Sequence, residues 1–417
     1  MTAGVDTHPP ARFPLMNATA KGRTHSARHL AVGLAGYCAF INLYSPQSIL
    51  PLLSEEFHAS AAEVSAIITV STLAVALTAP FTGAVADVLG RKRVIVAAMF
   101  VLVIPTLMVG LSTSLSAIIF WRAVQGLVLP PIFAVTVAYI GDEWPAKEAT
   151  TAAGIYSSGS SLGGFSGRLV TGVIADLISW RAGFAVLAGV AAAGAIAVAF
   201  LLPRERRFVR SEGLLASSRQ MLGHFRNGQL VATFAVGFGV LFNFICTFTY
   251  ISFHLAAPPY SLSASWLGAI FVTYLVGSAL TPWTGWAVSR FGRRQFMVGV
   301  IAIWLAGIAL TLAPSLLLIV AGLALGAGCG LLCQAVSTGY VTVTAKAGRS
   351  SAVGLYVTSF YLGGSFGAAV GAIAWTLGGW PACAALVAAM LVVMAAIVVF
   401  AWSETTRQEK PSPIEPP

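Results

Sequence analysis

Residues 154–167 read GIYSSGSSLGGFSG, and residues 354–367 read GLYVTSFYLGGSFG. Aligned without gaps, Gly154/Gly354, Tyr156/Tyr356, Leu162/Leu362, Gly163/Gly363, Gly164/Gly364 and Gly167/Gly367 match at an offset of 200, and Trp180 and Trp380 carry it into the following loop. A second pair, GAVADVLGRKR from Gly83 and GWAVSRFGRRQ from Gly285, is offset by 202, a slip that fits a short insertion or deletion. Ordered matches at equivalent places mark an internal duplication. The chain is two copies of one unit, and the remaining question is what that unit is.

Composition answers it. Of 417 residues, 57% are hydrophobic and 9% charged, with a mean hydropathy of +0.85. Soluble domains carry about 25% charged residues. Charge-poor runs recur, each long enough to cross a hydrocarbon core of ~30 Å as a helix. They are continuous rather than alternating, which selects helices over a barrel. Boundaries fall near 30–51, 63–84, 94–112, 115–139, 151–175, 182–202, 229–253, 264–287, 295–313, 315–341, 351–374 and 380–402. The expected fold is an all-α membrane protein with twelve transmembrane helices in two pseudo-symmetric six-helix bundles, 30–202 and 229–402. Residues 1–29 and 403–417 read as cytoplasmic tails, and 203–228 as a basic cytoplasmic linker.

The net charge of +10 reports topology rather than a nucleic-acid partner. With a cytoplasmic N-terminus, 21 of the 24 Lys and Arg fall on the cytoplasmic side, the exceptions being Arg122, Arg168 and Arg181. That is the positive-inside pattern, placing the chain in the inner (plasma) membrane with both termini cytoplasmic. Residues 1–29 have no apolar h-region and so are not a signal peptide. The five cysteines lie in apolar segments, and Cys329 with Cys333 reads as helix packing, so no metal is implied. Gly159-Ser160-Ser161-Leu162-Gly163 satisfies G-x-S-x-G, but a hydrolase needs that motif between a strand and a helix, with His and Asp partners. No phosphate-binding G-x-x-x-x-G-K-[ST] occurs, and no cofactor is called for.

Twelve helices in two halves, a central basic loop, and the loop Gly83, Asp87, Gly90, Arg91, Lys92, Arg93 together resemble the major facilitator superfamily. RAVQG (122–126) is similar to that family's fourth-helix motif, and GSSLGG to the glycine-rich motif of its antiporter branches. The resemblance implies that the 83–93 loop is a gating latch, joining the halves when the transporter faces outward. Independently of it, Gly83 and Gly90 suit a tight turn and close helix approach. Asp87 near a helix end can accept from another helix's N-terminal N–H groups or pair with Arg91 at i+4. The second copy keeps Gly285, Gly292 and Arg293 but has Ser289 where Asp87 stands.

Embedded polar residues supply the candidate site. Gly159, Gly163 and Gly167 form one small-residue stripe for helix packing, as Gly363 and Gly367 do in the twin. Arg168, with Gly164, Ser161 and Ser157, lies on a different face, and its repeat partner is Ala368. An arginine at membrane depth costs about 2.5–3.5 kcal/mol, so that face should meet a cavity. Arg122 is expected at similar depth. No Asp or Glu lies in the middle of any segment, so the two cations suit an anionic or carbonyl-bearing ligand. Alternatively, Arg122 bonds groups of the first helix and Arg168 snorkels outward. Asn42, Tyr44 and Gln47 flank Pro46 and would line the same cavity, with Asn243 and Tyr250 on the opposite wall.

The function expected is transport of a small-molecule substrate by alternating access among membrane lipids, first as proton-linked efflux. Glu63 and Asp142 are the candidate proton carriers. Uptake or exchange of an organic anion through Arg168 and Arg122 is the alternative, and a non-transporting receptor or scaffold a more remote one.

Overall fold

A computed structural model describes residues 15–205, 223–345 and 348–402. The helices are α1 (Leu15–Leu43), α2 (Leu50–Glu56), α3 (Ala61–Leu89), α4 (Arg91–Leu111), α5 (Leu115–Glu143), α6 (Ala146–Leu177) and α7 (Trp180–Leu201). After the linker come α8 (Gly228–Ala256), α9 (Ala264–Phe291), α10 (Arg293–Leu310), α11 (Leu316–Thr344) and α12 (Arg349–Ala401). Among the described residues nine helices are long and apolar enough to cross a membrane. One of these, α12, is two helices, because Gly378 and Gly379 (φ +59°) leave helical geometry and separate a first arm from a second. Adding α1 and α6, both more polar, gives the twelve spans read from the sequence. Most of the expected linker, 206–222, and the C-terminal tail lie outside the described residues.

Prolines explain where spans break. Pro46 has no N–H to offer the carbonyl four residues back, so α1 stops at Leu43, and a 3-10 turn over Ser45–Ser48 leads into α2. The expected first segment is therefore displaced: the helix starts at Leu15, within the expected tail, and ends earlier than 51. Pro282 likewise opens a 3-10 turn inside α9. Side chains cap several starts: Ser114 accepts from the Ala117 N–H, Ser179 from Ala182 and Asn227 from Gln229. At the start of α3, Ser60 and Glu63 form a reciprocal capping box.

The duplicated glycines do the same job twice. A Cβ on Gly159, Gly163 or Gly167 would collide with the carbonyl oxygens of Gly33, Tyr37 and Ile41, so α6 lies directly on the α1 backbone. A Cβ on Gly363 or Gly367 would collide with the carbonyls of Phe238 and Phe242, seating the first arm of α12 on α8 in the same way. Removing the Cβ lets two backbones approach where lipid gives helices little hydrophobic reason to associate.

The linker leaves α7 and enters α8 at one end of the bundle, here the linker face; α2 and the α6–α7 turn mark the far face. The halves meet from mid-depth outward to the far face. Thr72 Oγ1 and Ser365 Oγ are 2.9 Å apart, and Ser365 also donates to the Thr69 carbonyl at 3.1 Å, tying α3 to α12. Phe133 stacks on Tyr361 with centroids 5.6 Å apart. A Cβ on Gly172 would strike the Ala264 carbonyl, and one on Gly268 would stand 2.6 Å from the Arg168 carbonyl, so α6 and α9 also cross with backbones in contact.

Candidate functional site

The break in α1 creates the first polar cluster. The carbonyls of Asn42 and Leu43 lose helical partners, because residue 46 is proline and the Gln47 N–H turns to Tyr44 O at 3.1 Å. Arg122 of α5 takes both: Nη1 donates to Asn42 O at 2.9 Å and Nη2 to Leu43 O. Its remaining bonds go to Gln125 Oε1 (2.6 Å) and Ser71 Oγ (3.1 Å). Thr106 closes the cluster, donating to Asn42 Oδ1 at 2.9 Å and accepting from Gln125 Nε2 at 2.8 Å. Arg122 is fully buried and serves as the cap of a broken helix. Of the two expectations for it, the bonding to the first helix describes its geometry. Asn42, expected in the cavity wall, belongs to this cluster as well.

Arg168 stands differently. Ser48 Oγ donates to its backbone carbonyl at 2.8 Å, fixing α6 against the turn. Nε donates to Gln47 Oε1 at 2.8 Å and Nη1 to the Gly164 carbonyl at 2.5 Å. Three rings surround the guanidinium carbon: Phe271 at 4.2 Å, Tyr44 at 4.8 Å and Tyr274 at 5.0 Å from their centroids. Hydrogen bonds to a charged group contribute about 1.5–3 kcal/mol each, and a desolvated cation–π contact up to about 2. Together they offset the cost of placing the cation in the membrane without neutralising it. Among the described residues no acid pairs with it, and no protein group accepts from Nη2. Burial loosens along its face of α6 toward the linker face, where Ser157 and Ser158 are exposed.

The cluster spans both halves. Gln47, having accepted from Arg168, donates through Nε2 to Thr249 Oγ1 of α8 at 3.3 Å, while Phe271 and Tyr274 come from α9. Tyr44, Gln47 and Arg168 are thus brought together. Phe271, Tyr274 and Thr249 were not foreseen, because nothing in an apolar segment distinguishes a ring over a cation from a ring in the core. Asn243 departs from the expected wall: its amide donates to Met394 Sδ at 3.4 Å, toward the outer second arm of α12. Tyr250 packs instead of lining, its hydroxyl donating to the Ala368 carbonyl at 2.5 Å.

At the linker face, Gly90 (φ +92°) and Gly292 (φ +81°) adopt backbone that favours glycine, each ending one helix and opening the next. Arg91 Nη2 lies 3.5 Å from Asp87, while its Nη1 pairs with Asp142 and donates to the Ala138 carbonyl at 2.6 Å. The Lys92 N–H donates to Glu205 at 3.4 Å, and the Arg93 side chain is exposed. Of the two pairings open to Asp87, it makes the one with Arg91. Gly83 and Gly285 face open space and make no close approach here. In the second half, Arg293 lies over the Tyr340 ring at 4.9 Å. Glu63 and Asp142, the expected proton carriers, are engaged in the capping box and the Arg91 pair.

Two duplicated bundles around a buried cation that has no acid partner among the described residues have the architecture of a secondary transporter. The family model for the Major Facilitator Superfamily matches residues 32–257 and 247–417, and the chain belongs to that superfamily. It is 34% identical over 368 residues to the inner membrane transport protein YnfM of Escherichia coli K12, covering 87% of this chain and 88% of that one. Its fold is similar to a mutant form of the nucleoside transporter NupG, with TM-score 0.73, 16% identity, and coverage of 90% and 100%. It is also similar to the human organic anion transporter MFSD10, with TM-score 0.71, 16% identity, and coverage of 89% and 99%. The chain is a multi-pass membrane transporter and not an enzyme.

Proposed function

We propose that this transporter carries a small organic anion across the inner membrane by alternating access, with Arg168 holding the anionic group. The observation that carries this reading is the guanidinium of Arg168, buried between the halves and, among the described residues, without an acid partner and with no acceptor at Nη2. Guanidinium presents its donors in one plane and suits a carboxylate meeting it edge-on. The rings of Tyr44, Phe271 and Tyr274 cover its surroundings, so the anion approaches along the edge and the rings receive an apolar or aromatic body. MFSD10 is an organic anion transporter, but at 16% identity it speaks for the fold, and the anion reading rests on Arg168. The linker face is assigned to the cytoplasm because the basic loops gather there. Arg122 holds α1 in shape beside the site and is assigned a positioning role.

Proton-linked efflux is the second reading, favoured by the likeness of GSSLGG to the antiporter glycine motif. Counterflow in proteoliposomes, with p-aminohippurate as an aromatic carboxylate probe and tetraphenylphosphonium as the cationic control, tests both readings. Exchange of the carboxylate that Arg168→Ala abolishes supports the first, and acceleration by an imposed pH gradient supports proton linkage. Arg168-independent movement of the cation alone would overturn the anion reading.

A further inference from the structure

The loop stretch GAVAD, 83–87, has a second relative inside the first half. Residues 172–176 read GVIAD, with the same G-x-x-A-D spacing, at the opposite end of a helix in the same bundle. Asp87 closes α3 at the linker face; Asp176 closes α6 at the far face. The sequence suggests that Asp87 can hold the N-terminus of another helix. In the structure it is Asp176 that does so: its Oδ2 accepts from the Ser265 N–H, in the first turn of α9, at 2.9 Å. The glycine of the motif works beside it, since Gly172 lets the Ala264 carbonyl lie against α6. One turn further in, Gly268 lies on the carbonyl of Arg168. Residues 168, 172 and 176 are successive i+4 positions, so one stripe of α6 runs from the cation to the far-face contact. Asp87 meanwhile is turned to Arg91 of its own half.

We infer that Asp176 is a latch of the far face, a carboxylate on the last turn of α6 that grips the N-terminus of α9 in the other half. In the state described here that latch is closed, while Asp87 at the linker face pairs within its own half. Opening the far face requires the Ser265 N–H to leave Asp176 and the Gly172–Ala264 and Gly268–Arg168 contacts to part. Because the stripe that must separate carries Arg168, release of the latch moves α9, and with it Phe271 and Tyr274, away from the cation. The second half keeps no such pair: Ser289 and Thr376 stand at the positions repeat-related to Asp87 and Asp176. This inference concerns the conformational cycle and stands whatever the substrate is.

The test is the distance across each face in the purified full-length transporter, measured by double electron–electron resonance. Spin labels at Leu111 and Leu317, both exposed, report the far face, and labels at Val88 and Phe291 report the linker face. The five native cysteines are buried and give little background labelling. Asp176→Ala should raise the far-face-open population roughly two- to fivefold, the range that a surface charge at a helix terminus supplies. Asp176→Asn, which keeps an acceptor oxygen but no charge, should give a smaller shift and serves if the alanine variant folds poorly. Asp87→Ala should leave the far face closed. Unchanged far-face distances in both Asp176 variants would overturn the inference, as would equal opening in Asp87→Ala.

Discussion

Arg168 and Gln47, 121 residues apart in sequence, meet at 2.8 Å, and the same amide reaches Thr249 in the other half at 3.3 Å. Gln47 is therefore the neutral residue that orients the cation and links it to α8. Gln47→Glu would place a carboxylate on Arg168 in a site of low dielectric and satisfy the charge internally. Binding of an organic anion should fall at least tenfold, with folded yield retained. Gln47→Ala should weaken binding less, because the rings and the Gly164 carbonyl still hold the guanidinium. Titration of p-aminohippurate against both variants by intrinsic fluorescence reads the difference.

Arg122 should behave as a structural residue. Arg122→Ala strands the Leu43 carbonyl and Gln125 Oε1 in the bundle interior, while Ser45 still donates to the Asn42 carbonyl and Ser71 still donates to α3 carbonyls. Unpaired buried groups cost about 1–3 kcal/mol each, so a loss of about 2–5 kcal/mol is expected after local relaxation. Thermal unfolding in detergent should show a large drop for this variant and a smaller one for Arg168→Ala. The reverse order would remove the distinction between the two arginines.

The repeated glycines supply an internal control. Gly163→Ala drives a methyl group into the Tyr37 carbonyl and should cost about 1–3 kcal/mol or displace α1. Gly154→Ala, where nothing lies within 4 Å of the added carbon, should change stability by less than about 0.5 kcal/mol. Monodispersity on size exclusion after a heat step separates them.

Gly90→Ala forces a Cβ onto a backbone with φ +92° and toward Glu205. Strain of about 1–3 kcal/mol is expected, falling on the α3–α4 turn that presents Asp87 and Arg91. The same substitution at Gly292 (φ +81°) meets open space and should carry the backbone strain alone. Comparing the two melting temperatures tests this.

Much of the fold was legible because lipid leaves so few options: twelve apolar runs, one basic side and a glycine pattern repeated at 200 residues fix helices and pairing. The Gly163 and Gly363 crossings follow from that pattern directly. The site was legible only where polar residues stand out against an apolar background, which singled out Arg168, Arg122, Tyr44 and Gln47. Their partition was not, because it depends on which carbonyls Pro46 releases, and Arg122 rather than Arg168 reaches those. Asn243 carried the same signal as Gln47 yet turns toward Met394, since a helix buried on nearly all sides offers no cue to its inner face. The likeness of 172–176 to 83–87 was visible in the sequence, but only the contact with Ser265 gives it meaning.

The most direct measurement of the site's chemistry is thermal stabilisation of the purified transporter by a panel of organic anions and cations, in the wild type and in Arg168→Ala. If Arg168 holds the anionic group, carboxylates bearing an apolar or aromatic body raise the melting temperature of the wild type and lose that effect in Arg168→Ala, whereas cations raise neither. Stabilisation by cations, or by anions equally in both proteins, would contradict it.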